Sequence, residues 1–87
     1  MTELETSVLE EIRRIARHEL GFSGPVEATH SLQGDLQLDS MGTLVVAVGL
    51  ENRFRLRLRE EDAGELATVG DLVTLVCRRV CEQEVRA

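Results

Sequence analysis

Asp39-Ser40 closes a long aperiodic stretch and opens directly onto Leu44 to Leu50, a run that is apolar almost all round. No other feature constrains the chain as strongly. A polar loop that passes straight into a helix leaves unpaired backbone N–H groups at the helix start, with the positive end of the macrodipole behind them. A serine hydroxyl at that point stands where helix geometry favours a phosphate. Ser40 therefore reads as a covalent attachment point, and the rest of the chain as the frame that presents it.

The frame reads as helical. Leu4, Val8, Leu9, Ile12, Ile15, Ala16 and Leu20 recur at three- and four-residue spacing, which predicts an amphipathic helix from residue 3 to about 20. Thr2 and Glu5 have the spacing of a capping box, and Gly21 is placed to end the helix, with His18 a surface residue of its last turn. Residues 21 to 39 form a long loop broken by Gly21, Gly24, Pro25 and Gly34, with His30 solvated and Phe22, Val26, Leu32, Leu36 and Leu38 as anchors.

A second helix is expected from Ser40 to about Arg53. Its core arc is read as Thr43, Leu44, Val46, Ala47, Leu50 and Phe54. The opposite arc, Met41, Val45, Val48 and Asn52 with Gly42 and Gly49 nearby, reads as a contact stripe beside Ser40. Phe54 to Arg59 alternates like a strand, but a lone strand would leave its ladder bonds unmade. It is read instead as an extended connector with Leu56 and Leu58 facing inward. Glu60 to Ala63 suggests a short helix, and Thr68 opens the last one, whose stripe is Val69, Leu72, Val73, Val76, Cys77 and Val80. The expected fold is all-α: one domain over residues 1–87, a small antiparallel bundle of three main helices plus one short helix, with a long loop between helices 1 and 2.

Eighty-seven residues suffice for one small core, which two Phe and no Trp or Tyr make aliphatic. A net charge of −6 argues against a nucleic-acid partner, which needs clustered cations, and suits docking onto basic patches. No run approaches membrane-spanning length, and the N-terminus lacks the basic and apolar regions of a signal peptide. Cys77 and Cys81 stand four apart on one helix, a poor geometry for a disulfide, which points to reduced thiols and a cytoplasmic protein. They offer only two ligands, so no metal site is expected. Ser40, His30 and Asp39 include the residue types of a catalytic triad, but no nucleophile elbow surrounds them, and no enzymatic activity is expected. Without a modified serine, the apolar stripe would also suit a plain helical interaction module.

Ser31-Leu32-Gln33-Gly34-Asp35-Leu36-Gln37-Leu38-Asp39-Ser40-Met41 resembles the segment before and through the modified serine of acyl carrier proteins, where Asp-Leu-Gly-x-Asp-Ser-Leu leads into the second helix. The likeness continues through Leu50-Glu51-Asn52-Arg53-Phe54, Glu60-Glu61-Asp62-Ala63 and Thr68-Val69-Gly70-Asp71-Leu72, and so covers essentially the whole chain. The resemblance implies 4′-phosphopantetheine on Ser40, transferred from coenzyme A by a phosphopantetheinyl transferase. It implies a carrier of acyl thioesters that performs no chemistry of its own. It implies partners of ligase, ketosynthase or acyltransferase type in a fatty-acid, polyketide or related specialised pathway, visited by a monomer. Asp39 matches the aspartate implicated in transferase recognition, and an N-cap role is open to it as well. Met41 matches a hydrophobic position that meets partners and the arm, and Glu51 an acid that meets partner arginines. Val45, Val48 and Asn52 complete the implied partner face.

The chain also departs from the family pattern. Gly42, Val45, Val48 and Asn52 stand where acids are usual, and Arg53, Arg55, Arg57 and Arg59 crowd the connector. Docking should then lean on apolar contact more than on charge pairs, as in a dedicated, pathway-specific carrier. Gln37 replaces a common glycine, so the turn before Asp39 is expected to take a somewhat different path. Asp39-Ser40-Met41-Gly42-Thr43 also resembles D-alanyl carrier proteins, which leaves an aminoacyl or D-alanyl carrier as the alternative.

Overall fold

A computed structural model describes residues 2–58 and 66–86. Among these residues three helices run in order, α1 (Glu3–His18), α2 (Ser40–Phe54) and α3 (Val69–Arg86), and α1 packs against both of the others. The all-helical architecture is the one expected. The short helix expected at Glu60 to Ala63, and Arg59 beside it, lie outside the described residues.

Each helix starts where its side chains can satisfy the orphan donors of a first turn. The Thr2 hydroxyl accepts the Glu5 N–H at 3.1 Å and the Glu5 carboxylate accepts the Thr2 N–H at 3.0 Å, completing the capping box. At the head of α3 the Asp71 carboxylate accepts the N–H groups of Ala67 and Thr68, both at 3.1 Å, and the Thr68 hydroxyl accepts the Asp71 N–H. These backbone hydrogen bonds hold the carboxyls of Glu5 and Asp71 below the usual carboxylate range. α1 ends at His18 with Glu19 as its C-cap, two residues short of the expected end, and Gly21, expected at the cap, follows at φ +69°.

Val8, Ile12, Ile15, Val46, Leu50, Val69 and Val76 are sealed from solvent and form the centre of the core. At about 1.5–3 kcal/mol for each large aliphatic side chain, such burial is what holds a domain without large aromatics together. The long loop is part of this core. Val26, Leu32, Leu36 and Leu38 are buried and Phe22 packs against them, so the loop is held by its own side chains. Ser31 and Thr68 pair across an isolated antiparallel bridge, with Leu32 N–H donating to Ala67 O and Val69 N–H to His30 O. His30 is engaged locally, its Nδ1 accepting the Glu27 N–H at 3.1 Å.

Among the described residues, two that bear side chains occupy the left-handed region, Gln37 at φ 55° and Arg55 at φ 54°. Gln37 thus keeps the conformation that a glycine would adopt freely, at a cost that glycine avoids. Replacing it should relieve that strain, less the larger entropy a glycine loses on folding. Gln37→Gly is expected to raise stability by about 0.5 kcal/mol, or a melting temperature higher by roughly 2–4 °C on thermal denaturation. Arg55 ends α2, its N–H returning to Glu51 O. Beyond it Leu56 is buried and Leu58 partly so, while Arg55 and Arg57 are exposed, the alternation expected of the connector.

α2 is the helix whose orientation differs from expectation. Its buried residues are Gly42, Val46 and Leu50, and Leu44, assigned to the core arc from sequence, is 55% exposed. The glycines account for the rotation. A Cβ on Gly49 would come within 2.5 Å of Ile15 Cδ1, and one on Gly42 within 3.2 Å of Leu38 Cδ2. The face of α2 that carries Gly42 and Gly49 lies against Leu38 and Ile15, so Val46 and Leu50 of the expected core arc are buried as read while Leu44 turns toward solvent.

Candidate functional site

Ser40 is exposed and is the first residue of α2. Three features of the preceding loop hold it there. The Asp35 carboxylate accepts the Ser31 N–H at 2.7 Å, the Ser31 hydroxyl accepts the Gly34 N–H at 2.9 Å, and Leu38 N–H donates to Leu32 O at 3.0 Å. With Leu36 and Leu38 buried on either side of Gln37, the loop reaches the helix with little freedom left.

Asp39 is the N-cap. Its Oδ1 accepts the Gly42 N–H at 2.7 Å, and its backbone carbonyl accepts the Thr43 N–H at 2.9 Å. Among the described residues, the N–H groups of Ser40 and Met41 have no acceptor, which leaves two first-turn donors beside the Ser40 hydroxyl. No acidic residue lies within the first turn of α2 itself. An exposed hydroxyl, two open N–H groups and the positive end of a helix dipole suit a phosphate ester on Ser40. Asp39 fixes the helix start, which is the N-cap role left open for it.

The remaining residues assigned from sequence fall into different surroundings. Met41 is 67% exposed and stands clear beside Ser40. Val48 is exposed, Asn52 is exposed, and Val45 is half-buried against the core. Glu51 is half-buried, and its Oε2 accepts the Leu58 N–H at 2.9 Å, so its carboxylate organises the connector.

Sequence reasoning missed a groove between α1 and α2. It has a volume of about 590 Å³, with Ile15 on the α1 side and Leu44, Val45, Val48, Gly49 and Asn52 on the α2 side. At its margin Glu11, only 8% exposed, bonds through one carboxylate oxygen to Arg14 Nε at 3.0 Å and lies with the other 3.8 Å from Arg53 Nε. Arg53 also stacks over the Phe54 ring, 5.3 Å from its centroid. The available signal was the seven-residue spacing of Gly42 and Gly49, two turns apart on one face, which marks a side open to close helix approach.

At the other side of the bundle Cys77 is half-buried and Cys81 exposed, both as free thiols. Burial, with Glu5 and Cys81 nearby, pushes the Cys77 thiol above its ordinary pKa, as expected of a packing residue rather than a reactive one.

The sequence model of the phosphopantetheine attachment site family matches residues 10–76, a span that includes all of α2 and most of the core. The chain is 33% identical over 73 residues to an acyl carrier protein of Kineococcus radiotolerans, an alignment covering 83% of this chain and 90% of that one. The crystal structure of an acyl carrier protein from Thermotoga maritima superposes with a TM-score of 0.83 at 21% identity, covering 92% of this chain and 94% of the other. At that identity the structural likeness speaks for the fold.

Proposed function

This chain belongs to the acyl carrier proteins, the family built on a phosphopantetheine attachment site, and from that membership we propose that Ser40 carries the prosthetic group. Members are carriers rather than enzymes, and the covalent 4′-phosphopantetheine supplies the thiol on which an acyl group rides as a thioester. The observation that supports Ser40 is its placement as an exposed hydroxyl at the capped start of α2, beside two open backbone N–H groups. The residues present fit the group. Ser40 would supply the ester oxygen, Asp39 holds the helix start in place, and the first-turn N–H groups of Ser40 and Met41 would be available to the phosphate.

The transferase and the acyl-handling enzymes are the partners, with ligase, ketosynthase and acyltransferase types as the specific candidates. The contact face we assign to them is Met41, Val45, Val48, Glu51 and Asn52, and Met41 is its most exposed member. Because the first turn of α2 lacks acids, apolar contact carries more of the docking than charge does, which suits a dedicated carrier of a fatty-acid, polyketide or related specialised pathway. No helix among the described residues is long and apolar enough to cross a membrane. A cytoplasmic monomer with reduced thiols fits this role.

Incubation with coenzyme A, magnesium and a broad-specificity phosphopantetheinyl transferase, followed by intact mass and peptide mapping, tests the assignment. The expected result is a gain of one phosphopantetheine on the peptide containing Asp39-Ser40. A gain on another peptide, or none under conditions that modify a control carrier, would overturn it.

A further inference from the structure

We propose that Arg53, Arg55 and Arg57 form a docking surface for a carboxylate-rich patch on the acyl-handling enzyme that this chain serves, an inference that rests on the carrier reading above. The chain has ten arginines and no lysine, and four of the ten alternate from Arg53 to Arg59. The three among the described residues are all exposed. The frame beneath them is fixed. Leu56 is buried, the Glu51 carboxylate accepts the Leu58 N–H at 2.9 Å, and the N–H groups of Arg55 and Leu56 both return to Glu51 O. Leu56 and Leu58 pack toward the core, so the alternation leaves Arg55 and Arg57 to solvent. Arg55 also keeps its side chain in the left-handed region, a conformational cost that a glycine at the helix end would avoid.

The charges are open to a partner. Arg55 and Arg57 pair with no described acid. Arg53 lies 3.8 Å from Glu11, a carboxylate already bonded to Arg14, and its own side chain stays 60% exposed. Guanidinium forks bond carboxylates in parallel pairs, so three of them along one edge fit a cluster of Asp or Glu. A nucleic acid is disfavoured, because its phosphates would meet a chain of net charge −6. A membrane surface is disfavoured, because the leucines that alternate with these arginines pack inward. In a protein contact, charges beyond about 8 Å are screened at physiological ionic strength, and the local sign governs. The helical rise puts Arg53 about 20 Å along α2 from Ser40. Exposed Met41, Leu44 and Val48 lie between them. The partner thus meets the serine at one end of this face, apolar side chains in the middle and arginines at the far end. An enzyme with basic residues at that far end is repelled, which is specificity by exclusion.

Two double variants with the same change of charge make the test: Arg55→Glu with Arg57→Glu on the connector, and Arg17→Glu with Arg78→Glu at exposed positions elsewhere. Both are expected to take up phosphopantetheine by intact mass and to melt within about 4 °C of the wild type. In amide spectra at low salt, an acetylated octaglutamate peptide is expected to shift residues 53–58 of the wild type and of the Arg17→Glu, Arg78→Glu protein. The connector variant is expected to show no such shifts. The second readout is kinetic, with the enzyme that acylates the holo protein, purified by following thioester formation on this chain. The connector variant is expected to raise KM about tenfold with kcat within about twofold, and its kcat/KM to lose most of its salt dependence. Peptide shifts absent from residues 53–58 of the wild type, or equal changes in KM for the two variants, would overturn the docking surface. A chain that gains no arm at Ser40 would defeat the carrier assignment instead.

Discussion

Ser40→Ala is expected to acquire no phosphopantetheine at all, yet to melt within about 4 °C of the wild type. Function and stability separate at this residue because the two rest on different side chains. The helix start is held by the Asp39 carboxylate on the Gly42 N–H and by the Asp39 carbonyl on the Thr43 N–H, neither of which involves the serine hydroxyl. Ser40 is exposed, and changes at exposed positions without structural partners stay within about 0.5 kcal/mol, which for a domain of this size is at most roughly 4 °C. Asp39→Ala is the matching control. It keeps the hydroxyl but loses a cap worth about 1 kcal/mol. Intact mass and thermal melts on the three proteins decide the matter. An arm on Ser40→Ala would remove Ser40 from its role, and a large fall in its melting temperature would show that the hydroxyl belongs to the cap.

Much of this arrangement was readable in the chain, because the features involved are local. Thr2 and Glu5 specify a capping box by spacing alone, and the structure forms it. Asp39 before Ser40 specifies an N-cap in the same way. The loop anchors Val26, Leu32, Leu36 and Leu38 stood out as isolated aliphatics in polar surroundings, and all four are buried. Leu56 and Leu58 turned inward as the alternation with arginines requires.

The rotation of α2 was not readable, and the reason is physical. A helix that is apolar on nearly every face carries no amphipathic signal to say which arc meets the core. The choice falls to close approach between backbones, which glycines permit and hydropathy does not report. Gly42 and Gly49 decide it by admitting Leu38 and Ile15, and Leu44 is displaced outward in consequence. The groove was hidden for the same reason, since it is made by two helices and its location depends on that rotation. Glu51 was obscured differently. Its partner, the Leu58 N–H, lies seven residues away across the turn at Arg55, beyond the reach of any helical spacing rule.

Gly49→Val is therefore expected to be the most disruptive small substitution in α2, lowering stability by about 3 kcal/mol and the melting temperature by roughly 12–24 °C. The Cβ alone would lie 2.5 Å from Ile15 Cδ1 and 3.2 Å from Ile15 Cγ1, and valine adds two further carbons. Ile15 is 1% exposed and belongs to the sealed centre of the core, so pushing its side chain aside disturbs closely packed neighbours. The gain in helix propensity on replacing glycine, less than about 1 kcal/mol for a β-branched residue, offsets only part of this overpacking. Thermal melts of Gly49→Val, Ile15→Val and the double variant resolve the cause. If the clash is with Ile15, shortening that side chain in the Gly49→Val background returns part of the loss, and the double variant is more stable than the two single effects sum to. Strict additivity would mean that Gly49 owes its place to something other than Ile15. A Gly49→Val protein as stable as the wild type would show that α1 and α2 can part without penalty, and close approach at Gly49 would then no longer explain the outward turn of Leu44.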